Sequence, residues 1–235
     1  MSDQETLTPY LAGLGLEIHD RDLFQQVFVH RSYLNEHRSF SLGHNERLEF
    51  LGDAVLELVV TEYLYRTYPN PEGELTNWRS ALVKGEMLAR IAKELEIEDH
   101  LLLSRGERQS TGKARQLILA NAFEALIGAV YLDLGYERAQ AFIQKYLVSR
   151  LSQVLEDRLY IDAKSDLQER SQEKLGVTPS YILLESSGPD HEKEFRIGVY
   201  IGETLIAEGT GLSKQKAEQE AATAALKKGE TLFDS

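Results

Sequence analysis

Acidic side chains at helical spacing are the first residues in this sequence that could do chemistry. Glu46, Glu49 and Asp53 are spaced i, i+3 and i+7, so they share one face if their segment is a helix. Glu57 extends the same face. Like charges at these spacings destabilise an isolated helix, so something must offset their repulsion. A solvated acidic surface is the commoner explanation of such a stripe, and a divalent cation held by the carboxylates is the functional one.

Another acidic side chain lies in a segment that is apolar on nearly every side. Residues 117–135 read LILANAFEALIGAVYLDLG, which predicts a buried helix. In its middle only Asn121 and Glu124 are polar, again at i and i+3. A buried carboxylate is costly unless it is protonated, paired with a cation or bound to a metal. An ion pair between Glu124 and an arginine such as Arg79 is therefore an alternative to a metal site.

The two predicted helices would together provide one cluster of oxygen donors. If they pack against each other, the cluster contains Glu46, Glu49, Asp53, Asn121 and Glu124. Carboxylate and amide oxygens are hard ligands that suit Mg²⁺ or Mn²⁺. The chain has no cysteine, and His30 and His44 lack the spacing of zinc ligands, so we expect them to make structural hydrogen bonds.

The composition is that of a globular chain with an acidic balance. Its 235 residues are 42% hydrophobic and 27% charged, so the chain can bury a core. The net charge of −12 argues against a nucleic-acid partner, unless basic side chains cluster locally or the acids hold metal ions. The acidic N-terminal segment lacks the apolar core of a signal peptide, and no later apolar run of spanning length is uninterrupted. We therefore expect a cytoplasmic protein without a membrane partner.

The first two thirds of the chain are predicted to be helical. Apolar periodicity and end signals define the helices: Asp20 precedes the first, Pro69 follows the second and Gly135 follows the fourth. Their predicted bounds are residues 22–33, 45–68, 76–95, 117–134 and 137–155.

After about residue 157 the pattern changes from helices to strands. A short helix over residues 162–176 precedes three strand-like segments, PSYILLES, EFRIGVYIG and TLIAEGTG. Ser213 is the expected N-cap of a final helix, KQKAEQEAATAALKK. The order α-β-β-β-α spans roughly seventy residues, which is a common domain size. We therefore divide the chain into an all-helical domain, residues 1–157, and an α+β domain, residues 158–235.

Several segments resemble bacterial ribonuclease III. HNERLEFLGDAVLELV resembles the signature segment of that family, and VHRSYLNE resembles an element that precedes it. EGELTNWRSALV and LANAFEALIGAVYLDLG resemble two later blocks in the same order. In the second domain LQE, GPDHEKEF and SKQKAEQEAA resemble segments of a double-stranded-RNA-binding domain. The resemblance covers roughly residues 20–231.

The resemblance implies a homodimer of helical nuclease domains that cuts both strands of duplex RNA. The products would carry 5′-phosphate and 3′-hydroxyl ends, and the substrates would include ribosomal and other structured RNA. The cofactor would be Mg²⁺, for which Mn²⁺ can substitute, and no small-molecule cofactor would be needed. By motif, Asp53 and Glu124 are catalytic, and the metal ligands are these two with Glu46, Glu49 and Asn121. The apolar stretch Phe50–Val60 is a candidate for the dimer contact.

Five side chains of the second domain are expected to contact duplex RNA. Such RNA is read across its minor grooves, while basic side chains hold the intervening phosphates. We expect Gln168 and His191 to face the minor grooves. Lys214 and Lys216, at the start of the final helix, are placed to contact phosphate, and Lys193 is also expected to contact RNA. A solvated helix end is the alternative for Lys214 and Lys216.

Two features depart from the family pattern. The family usually has an aspartate where this chain has Asn121, so the amide either ligates metal through its carbonyl oxygen or only hydrogen-bonds a neighbouring carboxylate. Gln215 and Glu218 stand where the family often has lysines that contact phosphate. Between residues 162 and 230 there are nine lysines and arginines against thirteen acids, a net charge of −4. This domain would therefore have to read duplex shape through few contacts.

Three functions are compatible with these patterns. The first is the magnesium-dependent nuclease. The second is a non-catalytic dimer that binds duplex RNA with a weakened metal site; Asn121 favours it, but carboxylates still in register at Glu49, Asp53 and Glu124 oppose it. The third is a structural helical protein whose acidic stripe binds a basic partner, which the motifs of the second domain oppose. We expect the nuclease.

Overall fold

The chain forms two compact units, Met1–Tyr160 and Ile161–Ser235. A computed structural model describes residues 3–156, 160, 162–189 and 193–232 of them. The predicted boundary between residues 157 and 158 falls just before this division, beside residues that lie outside the described part of the chain.

The described residues of the first unit form helices joined by loops, as the sequence predicts. The bounds of its helices are Asp3–Gly13 (α1), Arg21–Val27 (α2), Arg31–Glu36 (α3), Glu46–Thr67 (α4), Glu72–Leu82 (α5), Gly85–Glu94 (α6), Arg105–Arg108 (α7), Gly112–Leu134 (α8), Tyr136–Tyr146 (α9) and Leu151–Glu156 (α10). Short 3-10 helices lie at Ile97–His100 and Val148–Arg150. Helix α1 has no counterpart among the predicted helices.

A backbone bridge interrupts the helix that is predicted over residues 22–33. The N–H of His30 donates to the carbonyl oxygen of Leu102 at 3.1 Å, and the N–H of Leu102 donates to that of Phe28 at 2.8 Å. These bonds occupy backbone groups that a continuous helix would need. The His30 side chain then caps α3 by accepting from the N–H of Ser32. The prediction of one helix is wrong because a partner far along the chain leaves no periodic signal.

Two more predicted helices are divided in the structure. The segment 76–95 breaks at Lys84, whose backbone is extended and starts α6. The segment 137–155 is interrupted by the 3-10 turn Val148–Arg150, which separates α9 from α10. In both segments the apolar pattern continues across the break, so periodicity alone predicts one helix where the structure has two.

Helices α4 and α8 cross in direct backbone contact at the centre of the first unit. A Cβ atom on Gly52 of α4 would overlap the carbonyl oxygen of Glu124, and a Cβ atom on Gly128 of α8 would overlap that of Leu48. Because glycine has no Cβ, the two backbones can approach this closely. The crossing therefore brings the acidic segment of α4 to the middle of α8.

Helix α8 is the core helix of the first unit. It is also long and apolar enough to cross a membrane, with a mean hydropathy of 1.7, but 61% of the apolar window is buried inside the protein. Phe123, Leu126 and Ile127 are fully buried, as the apolar sequence on all sides predicts. The length and apolar character of α8 therefore follow from its position in the core.

The second unit is an antiparallel sheet packed against two helices, in the predicted order α-β-β-β-α. Its elements are Ala163–Leu175 (α11), Ser180–Ser187 (β1), Glu194–Ile201 (β2), Thr204–Gly211 (β3) and Lys214–Leu232 (α12). The strands are arranged in the order β1-β2-β3. Small residues dominate the buried cluster between sheet and helices, which consists of Ala163, Leu167, Val199, Ala207, Ala221, Ala222 and Ala225.

We predict that Gly128→Ala destabilises the first unit by about 2–4 kcal/mol, because the new methyl group forces α4 and α8 apart. Thermal unfolding of the variant measures this loss. Gly73→Ala is the matched control: its Cβ atom on α5 would meet no atom within 4 Å. Helix propensity should leave the control unchanged or stabilise it by up to about 1 kcal/mol. Equal melting temperatures for the two variants would contradict the close helix contact.

Candidate metal centre and nucleic-acid interface

The start of α4 is held in place by a buried asparagine. The side-chain amide of Asn45 donates to the carbonyl oxygen of Val27 at 2.9 Å, and its backbone N–H donates to Val29 at 2.9 Å. Glu46 and Glu49 lie in the first turn that follows. The partial positive charge of a helix N-terminus offsets some of the repulsion between these two carboxylates.

Glu46 lies at the edge of the acidic cluster, where it forms an ion pair with Arg31 and lies near the ring of His44. Its carboxylate lies 3.5 Å from Nη1 of Arg31 and 3.7 Å from Nδ1 of His44. Neither partner could be predicted from the spacing of the acids. His44 is close in sequence and could have been considered, whereas Arg31 is brought there only by the fold of α3.

Glu49 and Asn121 join α4 to α8. Glu49 is partly buried, and this burial, together with the negative charges of Glu46 and Asp53, raises the pKa of its carboxyl group. A hydrogen bond from the Asn121 side chain acts in the opposite direction and lowers that pKa. The amide of Asn121 therefore favours the ionised form of Glu49.

Glu124 is the most strongly perturbed carboxyl group of the cluster. Burial raises its pKa to about 7, and the negative charges of Asp53 and Glu49 contribute to the rise. The three carboxyl groups therefore repel one another across the contact between α4 and α8. Repulsion of this kind destabilises the fold, so clustered acids with a raised pKa indicate a functional site.

The alternative of an ion pair between Glu124 and Arg79 is not found. Nε of Arg79 lies 3.0 Å from a carboxylate oxygen of Glu57, and Nη1 donates to Thr61 at 3.0 Å. In the described part of the chain, Glu124 has no cationic partner. Glu57 extends the acidic stripe in sequence, but its charge is neutralised by Arg79.

The donor set of this cluster has the chemistry of a site for a hard divalent cation. Its oxygen atoms come from carboxylates and an amide, and their negative charges are in excess. Among the residues that the structure describes, however, no three acidic or histidine side chains are close enough together to enclose an ion as they stand. Bound metal therefore requires the carboxylates to turn towards it, which is possible because Glu49 is only half-buried and Asp53 is exposed.

In the second unit, Lys214 and Lys216 are exposed in the first turn of α12. Ser213 caps this turn, since its side chain accepts from the N–H of Lys216 at 3.2 Å. Neither lysine forms an ion pair with another described residue. Both ammonium groups are therefore available to a phosphate.

The other residues that we expect to contact RNA have different positions. Gln168 is exposed on α11. Lys193 is partly buried just before β2. His191 lies outside the described residues. Glu218, which replaces an expected lysine, forms an ion pair with Lys164 of α11. This ion pair could not be predicted from the sequence.

Comparison with known protein families agrees with the two units. Residues 20–151 match the family model described as ribonuclease-III-like. Residues 163–228 match the model of the double-stranded RNA binding motif. The first match contains all the predicted metal ligands, and the second contains all the residues that we expect to contact RNA.

Known proteins similar to this chain cover almost its full length. Ribonuclease 3 of Pelotomaculum thermopropionicum is 46% identical over 228 residues, which are 97% of this chain and 95% of the relative. Ribonuclease 3 of Enterococcus faecalis is 43% identical over 226 residues, 96% of this chain and 98% of the relative. The similarity therefore extends over both units of each protein.

Solved structures are similar to the first unit. A crystal structure of the nuclease domain of ribonuclease III from Campylobacter jejuni has 37% sequence identity and a TM-score of 0.54, covering 60% of this chain and 93% of that one. A second structure of the same domain has 39% identity and a TM-score of 0.52, covering 58% and 95%. With both domains matched and whole-length relatives of one kind, the chain belongs to the ribonuclease III family and is an endonuclease that cleaves double-stranded RNA.

Proposed function

We propose that the carboxylates of α4 and α8 bind Mg²⁺ and that RNA is hydrolysed at this centre. The raised pKa of Glu124, caused by burial and by neighbouring acids without a cationic partner, carries the proposal. When bound, the cation would supply a water of lowered pKa and a counter-charge for the phosphate oxygens. Mn²⁺ should substitute because it accepts the same oxygen ligands.

The side chains have separate roles in this proposal. Asp53 of α4 and Glu124 of α8 would hold the cation from the two helices. Glu49 completes the set, and the hydrogen bond from the Asn121 side chain favours its ionised form against the effects of burial and of neighbouring acids. Asn121 uses its amide N–H₂ for this bond, so its carbonyl oxygen is free to ligate. Glu46 contributes from the edge of the cluster, where Arg31 and His44 orient it.

The cation also resolves the objection that arises from the acidity of the chain. Carboxylates repel a phosphate backbone, so an RNA strand can approach Asp53 and Glu124 only when their charge is offset. Part of the net charge of −12 therefore belongs to the site itself. In the second unit, duplex RNA would be bound by Lys193, Lys214 and Lys216 at phosphates and by Gln168 and His191 at minor grooves.

We propose that the enzyme is a homodimer through its first unit. One centre per chain can cut one strand, and a two-fold axis would place two centres on opposite strands of a duplex. Phe50 of α4 is 81% exposed and Leu58 is 57% exposed, whereas Val55 and Val59 are buried in the unit. Within the stretch Phe50–Val60, only exposed side chains can serve the contact. The Campylobacter jejuni nuclease domain is described as having a region involved in dimer formation.

We further propose that the chain functions in the cytoplasm on ribosomal and other structured RNA, without a small-molecule cofactor. The domain boundary that we propose lies between residues 157 and 158. Relatives that share both units and are named Ribonuclease 3 support an RNA substrate.

A non-catalytic binder of duplex RNA is the second candidate, and Asn121 is the observation that favours it. Incubation of the protein with long duplex RNA, with and without Mg²⁺, separates the two functions. Shortening of the RNA that depends on Mg²⁺ is the outcome expected of the nuclease, whereas binding without shortening would support the binder.

We predict that Glu124→Gln abolishes cleavage while duplex binding survives, because the variant loses a carboxylate of the centre and leaves the second unit intact. Gel-shift and cleavage assays on one preparation measure both properties. Glu57→Gln is the matched control: it removes an acid from α4 that is paired with Arg79, and should keep most of the activity. Normal cleavage by Glu124→Gln would refute the assignment.

The same variant should differ from the original protein in its stability without metal. The folded-state pKa of Glu124 is about 7, above the ordinary glutamate value of 4.5, so its ionisation destabilises the fold as pH rises between these values. In a chelator at pH 8, Glu124→Gln should be more stable by about 1–2 kcal/mol, after allowance for solvent screening. This advantage should vanish near pH 4.5. Added Mg²⁺ should raise the melting temperature of the original protein more than that of the variant.

We predict that Asn121→Asp lowers the Mg²⁺ concentration at half-maximal rate, with a smaller effect on the saturated rate. The variant has one more negative charge around the same cation, while the hydrolytic water is activated by the ion and not by this side chain. Mg²⁺ titrations of both proteins measure the change. A requirement for more Mg²⁺, or a large loss of rate, would exclude Asn121 as a ligand and leave only its hydrogen bond to Glu49.

We predict that Phe50→Asp shifts the protein from dimer to monomer, because it places a charge in an apolar contact between protomers. Sedimentation equilibrium at micromolar concentration measures the mass. Phe50→Leu keeps an apolar side chain and should remain dimeric. A monomer of the original sequence that cuts both strands at full rate would contradict the proposed dimer.

A further inference from the structure

Two polar bridges join α11 to α12 in the second unit. Nζ of Lys164 lies 2.6 Å from a carboxylate oxygen of Glu218. The side-chain amide of Gln219 donates to Asp162 at 2.6 Å. The side chains of Lys164 and Glu218 are only 34% and 25% exposed, so water screens this pair less than an ordinary surface ion pair.

Both bridges are anchored at the α11 end. Asp162 caps α11 with one oxygen, which accepts from the N–H groups of Lys164 and Ser165 at 3.0 Å each. Its other oxygen accepts from Gln219. The ammonium group of Lys164 lies 4.8 Å from the ring centre of Tyr181 on β1, where the ring face attracts it. Lys164 is therefore held by the sheet as well as by α12.

The ion pair lies one helical turn from residues with proposed RNA contacts on both helices. Lys164 and Gln168 are spaced i, i+4 on α11, and Lys214 and Glu218 are spaced i, i+4 on α12, so each pair shares a helix face. A duplex has a fixed distance between a minor groove and the neighbouring phosphates. Contacts from Gln168 and Lys214 can form together only if the two helices keep the matching separation.

We propose that Lys164 and Glu218 form a positioning pair that sets the separation of α11 and α12 for binding duplex RNA. The proposal rests on the RNA contacts that we propose for Gln168, Lys214 and Lys216. The proposal also explains why the acid Glu218 lies near the lysines that we expect to contact phosphate. Lys164 neutralises its charge, and Glu218 holds α11, the helix that carries Gln168.

Removal of the Glu218 charge distinguishes two possible effects of this residue on RNA binding: positioning of α11, and repulsion of RNA phosphate. If Glu218 only repelled phosphate, Glu218→Gln would bind duplex RNA more tightly than the original protein. If it positions α11, the variant binds less tightly although it carries one negative charge fewer. The two effects therefore have opposite signs in one measurement.

The test uses the full chain in a chelator, which prevents cleavage, and fluorescence anisotropy with a labelled duplex RNA at several salt concentrations. We expect Glu218→Gln to raise Kd roughly tenfold and to reduce the salt dependence of binding by about one phosphate contact. Glu208→Gln is the matched control, since Glu208 pairs with Arg196 at 3.2 Å on the sheet face opposite the helices. The control should bind as the original protein does.

A charge swap tests the pair independently of net charge. Lys164→Glu and Glu218→Lys should each weaken binding, although the second adds positive charge. The double variant restores an ion pair and should recover affinity to within about twofold of the original protein, because its net charge is unchanged. Circular dichroism shows whether each variant is folded. If Glu218→Gln is unfolded, the charge-swapped double variant provides the test. If its RNA affinity does not recover, the proposal is overturned.

The failure of the positioning pair is distinguishable from failure of the proposed RNA contacts. Lys214→Ala combined with Lys216→Ala should weaken binding in the same assay. Original affinity in that variant would refute the RNA contacts and the pair that depends on them. Weak binding there, together with tight binding by folded Glu218→Gln, would refute the positioning pair alone.

Discussion

The first unit depends on the backbone contact between α4 and α8. Gly52 and Gly128 remove the side chains that would keep these helices apart, so carboxylates from both meet across the crossing. Burial raises the pKa of Glu124, the charges of Asp53 and Glu49 add to the rise, and none of the described cations forms an ion pair with it. The fold tolerates the repulsion because α8 is buried against the rest of the unit. The crossing of α4 and α8 is therefore the cause of both the close backbone packing and the repulsion between the carboxyl groups.

The residues of the candidate site could be predicted because helix geometry turns sequence spacing into a shared face. Glu46, Glu49 and Asp53 follow the helical period, and Glu124 stands out as an acid in an apolar segment. The strands of the second unit could be predicted equally well, because apolar and polar residues alternate along them and turn residues separate them. These signals are local, and the structure has the helices and strands in the predicted order.

Interactions between distant segments could not be predicted from such local signals. The bridge from His30 to Leu102 divides a helix that is continuous in its apolar pattern. Glu218 forms an ion pair with Lys164, and a charge count along the sequence does not reveal which charges are paired in space. The net charge between residues 162 and 230 is still −4, but Lys164 offsets the negative charge of Glu218 locally.

The small core of the second unit has a consequence for how the protein denatures. Among the residues that the structure describes, its buried cluster contains five alanines, with Leu167 and Val199 as the larger members. Alanine buries little apolar area, so this core stabilises its unit less than the leucine- and phenylalanine-rich core around α8 stabilises the first. Heating should therefore unfold the chain in two steps, with the RNA-binding unit first. Because a ligand that binds only the folded form shifts this equilibrium, duplex RNA would act as a folding cofactor for the part of the enzyme that holds it.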